Sequence, residues 1–293
     1  MHLSVVILPT DRWRHASRTW RLADEWGLHA AYTYDHLSWR SFREKSWFAM
    51  IPTLTAAAGV TEKIRLGPLV TTPNFRHPVV LAKDLLALDD IGDGRLTIGV
   101  GAGGLGFDAS ALGAPPLRPT EQHARFVEFT TALDHLLSNK IGNFEGEWFQ
   151  ARDTRQLPGP RQSPRPPLLI SALGPRALDF AARHGDGWIS IGETSAGTRS
   201  TWEAIRQQSE VISHVRDAVE ATEDFGRVLL DMQTDEHPLA SLEAFYDWAG
   251  RYHDLGITEL VVHWPVPDSP FDNDLFTFEE IATVGRSTIA NWT

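Results

Sequence analysis

Apolar and polar positions along this chain switch repeatedly between two periods. Residues 3–8 are a continuous apolar run of strand length, and 17–27 then place apolar side chains at helical spacing and stop at Gly27. The same pair of signals recurs, with strands predicted at 30–34, 64–70 and 96–100. Helices are predicted at 47–60 and 79–91, and from Thr120, with Glu121 in the first turn, to about residue 137. The rhythm breaks at 141–149, which read as a hairpin, and at 158–167, a proline-rich connector. It resumes with strands at 168–171, 187–191, 228–232 and 259–263 and helices at 176–184, 198–221, 240–255 and 278–290. Alternating strand–helix units imply a parallel sheet with right-handed crossovers. Eight such units over 293 residues predict a closed (β/α)8 TIM barrel, not an open doubly wound sheet. No repeat or low-complexity linker divides the chain, so 1–293 is read as one domain with an insertion segment around 140–167.

Composition narrows the chemistry. A hydrophobic content of 42% supports a sizeable core, and no apolar run is long enough for a membrane span. The opening Met1-His2-Leu3-Ser4-Val5-Val6-Ile7-Leu8-Pro9 lacks a basic leader and a small-residue cleavage site and reads as a first strand. The absence of cysteine excludes disulfides, thiolate metal sites and a cysteine nucleophile, and no metal site is expected. A net charge of −11 argues against a nucleic-acid partner. The expectation is a cytoplasmic protein acting on a small molecule. An anionic cofactor would need a local site of backbone N–H groups and a few arginines.

Three segments carry candidate chemistry. Gly99-Val100-Gly101-Ala102-Gly103-Gly104 formally matches the dinucleotide-binding fingerprint, but that fingerprint needs a helix opening at its third glycine. Here Leu105-Gly106-Phe107-Asp108, then Pro115-Pro116 and Pro119, extend a loop. Gly101 and Gly103 are read as admitting a flat cofactor close to the backbone, with a plain flexible loop as the alternative. In Ser171-Ala172-Leu173-Gly174-Pro175 a strand ends, Gly174 permits an unusual backbone and Pro175 suits the first helical position. Exposed N–H groups there would make an anion site, against the alternative of an ordinary helix start. Asp35-His36 falls where the second strand ends. A histidine exchanges protons near neutral pH and a carboxylate can orient it; a strand-end cap beside a surface histidine is the other reading. Among the tryptophans, Trp13, Trp39, Trp148, Trp188 and Trp264 fall near expected strand ends, loops or the insertion, as core or rim residues.

Four segments together resemble the bacterial luciferase-like superfamily of (β/α)8 oxidoreductases, which use reduced FMN or the deazaflavin coenzyme F420. They are Tyr34-Asp35-His36; Leu66-Gly67-Pro68-Leu69-Val70-Thr71-Thr72-Pro73-Asn74-Phe75-Arg76-His77-Pro78; Asp93-Gly94-Arg95 through Gly103; and Ser171-Ala172-Leu173-Gly174-Pro175-Arg176-Ala177 through Trp188. The Asp-His pair is similar to that of the F420 branch. The resemblance implies Asp35 and His36 at the deazaflavin ring, with Trp39 nearby. It implies a non-proline cis peptide at Leu69-Val70, or one bond later, behind the ring beside Thr71. The cofactor phosphate is implied at Leu173 and Gly174, with help from Gly192, Glu193 and Thr194. A homodimer is implied as well. Some F420 dehydrogenases carry a glutamate in the glycine loop as general acid; the matching position here is Gly104, with Asp108 the nearest carboxylate, which argues against a sugar-phosphate dehydrogenase mechanism. The favoured expectation is hydride transfer between F420 and a small organic substrate. An FMN-dependent monooxygenase and a non-catalytic cofactor-binding relative remain as alternatives.

Overall fold

The apolar runs become strands β1 (His2–Val6), β2 (Ala30–Thr33), β3 (Arg65–Pro68) and β4 (Ile98–Val100), separated by helices α1 (Trp13–Glu25), α2 (Met50–Ala58) and α3 (Pro78–Ile91). After α4 (Phe107–Ala111) and α5 (Pro119–Ser138) comes the hairpin β5 (Ile141–Glu145) and β6 (Gln150–Arg155). Then follow β7 (Leu168–Ser171), α6 (Pro175–His184), β8 (Gly187–Ser190), α7 (Thr201–Ala218), β9 (Gly226–Leu230), α8 (Leu242–His253) and β10 (Glu259–His263). The last segment is α9 (Leu275–Glu280), a π-helical turn at Ile281–Gly285 and α10 (Arg286–Ile289). This computed structural model describes residues 1–104, 107–192, 200–232 and 236–292.

Among the described residues, eight parallel strands run in the order β3-β2-β1-β10-β9-β8-β7-β4, and the architecture is the expected (β/α)8 TIM barrel. Two parallel bridges, Leu66 with Leu96 and Thr71 with Val100, link the outermost strands and nearly close it. Every residue of β2, β8 and β10 is buried. Parallel strands covered on both faces require such continuous apolar runs.

The chain forms two compact units. The first contains Met1–Leu8, Arg21–Tyr32 and Leu169–Thr293. In it β1 pairs with β10 from His2 opposite Glu259 to Val6 opposite His263, and β8 pairs with β9 from Gly187 opposite Gly226. Phe245, Trp248 and Tyr252 bury one face of α8, and Trp264 stacks on Trp26 at 5.1 Å between centroids. The second unit contains Pro9–Trp20 and Thr33–Leu168. Its β3–β4 approach is so close that a Cβ on Gly67 would lie 1.7 Å from the Thr97 carbonyl oxygen.

Side-chain clasps hold the connecting segments of this second unit. Asp93 and Gly94 turn with positive φ. The Arg95 guanidinium then donates to the carbonyls of Ala58, Thr61 and Ile64, so Asp93-Gly94-Arg95 is a structural corner. The buried Asp89 carboxylate accepts from the amides of Arg161 and Gln162 and from the Gln162 side chain, tying down the proline-rich connector. Glu128 of α5 accepts from the amides of Glu147, Trp148 and Phe149 and so gathers the hairpin turn.

Two short helical turns lie outside the helices expected from the sequence, one of them in the stretch read as loop. A short 3-10 turn occupies Arg40–Phe42, and α4 follows the glycine loop. Both lack helical periodicity; α4 is held by contacts distant in sequence, with Asp108 accepting the amide protons of Leu37 and Ser38.

Candidate functional site

Three strand-end segments of the second unit carry the candidate chemistry. Tyr34, Asp35 and His36 follow β2; Leu69, Val70 and Thr71 follow β3; the glycine loop follows β4. In a TIM barrel these C-terminal strand ends carry the variable chemistry. Main-chain bonds fix their order: the Leu69 amide donates to the Thr33 carbonyl at 3.0 Å, and Thr71 exchanges bonds with Gly99 and Gly101 at 2.9 Å each.

The Asp35 carboxylate is almost fully buried and fully engaged. Its Oδ2 accepts from the Thr71 hydroxyl at 2.7 Å and from Arg76 Nε at 2.9 Å, while Oδ1 accepts from Arg76 Nη2 at 2.6 Å. This is a bidentate guanidinium–carboxylate pair, the geometry in which such a pair is strongest. Asp35 therefore orients Arg76, and the carboxylate that orients His36 is a different one. His36 Nδ1 contacts Asp108 Oδ2, and Asp108 Oδ1 accepts from the Leu37 amide at 2.7 Å. The Trp47 indole donates to the His36 carbonyl at 2.9 Å.

Aromatic rings surround the imidazole. Trp39 lies nearly parallel to it at 6.3 Å, Tyr34 meets it edge-on at 6.0 Å, and Trp47 stands at 6.4 Å. Trp39 in turn contacts Phe42 and Trp47. His36 keeps 26% of its side-chain surface exposed while Asp108 keeps 5%. The imidazole is thus reachable and its carboxylate partner is not.

The peptide bond Leu69-Val70 is cis, at the position the resemblance implied. Gly101 is buried beside Thr71. Gly103 has φ +73, and a Cβ there would come within 2.6 Å of the Asn74 amide nitrogen. Asn74 explains that glycine: its Nδ2 donates to the Gly104 carbonyl at 3.1 Å, and its Oδ1 accepts from Arg125 at 2.8 Å. Burial holds the Arg125 guanidinium below its ordinary pKa.

In the first unit, β7 ends at Ser171 and α6 begins at Pro175, with Gly174 as its cap residue and no side-chain cap. A Cβ on Gly174 would meet nothing within 4 Å, and its φ of −93° is ordinary. Leu173 is partly exposed beside it. Uncapped N–H groups at a helix start attract an anion. Gly192 is buried with φ +78; its amide donates to Ser190 Oγ and its carbonyl accepts from Gln208. Glu193 and Thr194 lie outside the described residues. His263, at the end of β10, is buried and stacks on Phe271 at 3.7 Å, and desolvation pushes its pKa down to about 3. Trp188 is buried and donates to the Ala172 carbonyl.

Among the described residues no three His, Asp or Glu side chains are placed to hold a metal ion. No described helix is long and apolar enough to cross a membrane. Arg76 and Asp108 are the partners that sequence reading left without a role. Asp108 had one available signal, as the nearest carboxylate to the glycine loop.

The luciferase-like monooxygenase family model matches residues 1–261. An F420-dependent glucose-6-phosphate dehydrogenase of Beutenbergia cavernae is 35% identical over 170 residues, covering 57% of this chain and 49% of that protein. The chain thus spans about half the length of that relative. The oxygenase component of a flavin-dependent trigonelline monooxygenase of Acinetobacter baylyi is 30% identical over 167 residues, 56% of this chain and 44% of that protein. Among solved structures, an F420-dependent secondary alcohol dehydrogenase in complex with an F420-acetone adduct superimposes with a TM-score of 0.78 at 17% identity, covering 96% of this chain and 98% of that one. At that identity the likeness speaks for the fold.

Proposed function

The chain belongs to the luciferase-like monooxygenase family, and from that premise we propose that it is an F420-dependent oxidoreductase acting on a small, largely apolar organic substrate. The observation that carries this reading is the reachable His36 imidazole, engaged by a buried carboxylate and walled by Tyr34, Trp39 and Trp47. Relatives bearing F420-dependent names support the choice of cofactor.

Features within each unit, taken separately, support this reading of the cofactor. The α6 start offers N–H donors with no side-chain cap, beside a Gly174 whose missing side chain leaves open space, and that suits a phosphate. Leu173, Gly174 and Gly192, with Glu193 and Thr194, are the proposed phosphate residues; Asp35, Trp39, Leu69, Val70, Thr71, Gly101 and Gly103 are the proposed ring residues. When bound, F420 supplies hydride chemistry at its deazaflavin ring. His36 presents a ring nitrogen that gives or takes the proton accompanying hydride transfer. Asp35 holds Arg76 and Thr71 in place, and the aromatic wall excludes water from a reacting carbon.

Titration of the purified protein with F420 and with FMN, followed by fluorescence quenching, tests the cofactor. Anaerobic incubation of reduced F420 with enones, imines or ketones, and of oxidised F420 with alcohols, tests the reaction through absorbance. Tight F420 binding with oxygen-independent turnover is expected. Turnover that requires oxygen and reduced FMN would replace this reading with a monooxygenase, the activity in the name of the Acinetobacter baylyi relative.

A further inference from the structure

We infer that Asp108 is the positioning residue for His36. The inference rests on the proposed proton role of His36. Asp108 is an odd residue for a buried site: it lies on the five-residue helix α4, yet it is only 3% exposed. A buried carboxylate is costly unless its oxygens are used. Both are used, and both by the strand-end segment after β2. Oδ1 takes the Leu37 and Ser38 amides, and Oδ2 meets His36 Nδ1. The Arg43 guanidinium also stacks on the ring of Phe107, the residue before Asp108, at 4.0 Å. The short helix is therefore clasped to this segment from both sides.

The chemical consequence concerns which nitrogen of the imidazole is free. A carboxylate accepts a proton-bearing nitrogen, so neutral His36 carries its proton on Nδ1 and keeps the Nε2 lone pair for the substrate. Trp47, bonded to the His36 carbonyl, fixes the backbone below the ring. Ring rotation and tautomer are then set together. Asp108 keeps only 5% of its side-chain surface exposed and acts through His36.

The test pairs a spectroscopic readout that needs no cofactor with a kinetic one. Nitrogen-15 spectra of the imidazole rings, with the His36 signal identified by its loss in His36→Ala, report the tautomer directly. The wild-type protein is expected to show the Nδ1–H form, and Asp108→Ala is expected to shift it toward Nε2–H. With reduced F420 and cyclohexenone, or oxidised F420 and propanol, Asp108→Ala is expected to lower kcat by roughly 10²-fold, within the range a general acid–base group contributes. F420 affinity should stay within about threefold, because the carboxylate acts on the acid–base group and not on binding. Asp108→Asn retains the acceptor for the Leu37 amide but turns an N–H donor toward His36 Nδ1, so it should favour the Nε2–H form and lower kcat at least as far as Asp108→Ala. An Nε2–H tautomer in the wild type, or a tautomer and kcat indifferent to both Asp108 substitutions while His36→Ala abolishes turnover, would overturn the inference and leave the proposed function intact. If His36→Ala turns over normally while Asp108→Ala shifts the tautomer, the pairing stands and the proton role of His36 fails.

Discussion

Asp35 and His36 are adjacent in sequence and look in different directions for their partners. Asp35 reaches 41 residues along the chain to Arg76, and His36 reaches 72 to Asp108. His36→Ala is expected to lower kcat with F420 by about 10²–10³-fold while F420 affinity, measured by fluorescence quenching, changes little. Arg76→Ala would leave the buried Asp35 carboxylate with only Thr71. Stranding a buried charge costs about 3–5 kcal/mol, and a urea melt should show a loss near the lower end, since Arg76 keeps 20% exposure. The place of Asp35 and His36 just after β2 was legible because a strand end is a local signal, but their pairing with each other was not what formed. Their partners were not legible, because tertiary approach selects them, and local pattern says nothing of which arginine or aspartate will arrive.

Among the elements, long periodic segments were legible and their edges less so. The helix read at 17–27 runs over Trp13–Glu25, because its first turn of Arg14, His15 and Ala16 is too polar to reveal helical spacing. The helix read at 47–60 starts at Met50, since Trp47 is drawn off to His36. The final helix is broken by a π-helical turn that no periodicity marks. Two glycines give opposite expectations. Gly67→Ala places a methyl group against the Thr97 carbonyl, at an ideal separation of 1.7 Å. Thermal melting should show a destabilisation of about 3 kcal/mol or failure to fold, the scale of severe overpacking. Gly174→Val meets no atom and strains no backbone angle. It should therefore leave the melting temperature nearly unchanged while weakening F420 binding by about tenfold or more, if the open N–H groups of α6 take the phosphate. Unchanged F420 affinity in the folded variant would remove that assignment.

Across the whole molecule, burial makes histidine an acid-sensitive component of stability. His263 titrates at about 3 when folded and at about 6.5 when unfolded. Between those values the unfolded chain holds a proton that the folded chain lacks, so stability rises with pH in this window. The contribution is fully present above about pH 6.5 and is lost progressively as pH falls toward 3. Each unit corresponds to about 1.4 kcal/mol, so urea unfolding at pH 5 should show about 2 kcal/mol less stability than at pH 7.5. His2, pushed down by burial and by its stacked neighbour His29, acts in the same direction. His263→Gln should flatten part of the slope. The barrel order was legible in the eight repeated units, whereas the way its connections are secured was not. The hairpin turn hangs on Glu128, a side chain outside the hairpin. Its turn is thus shaped in part from α5, while Asn143 and Thr154 add side-chain bonds to the main chain within the ribbon. A laboratory graft of a different ribbon at this point would need to keep the α5 carboxylate together with Gly146, where a Cβ would lie 2.1 Å from that carboxylate.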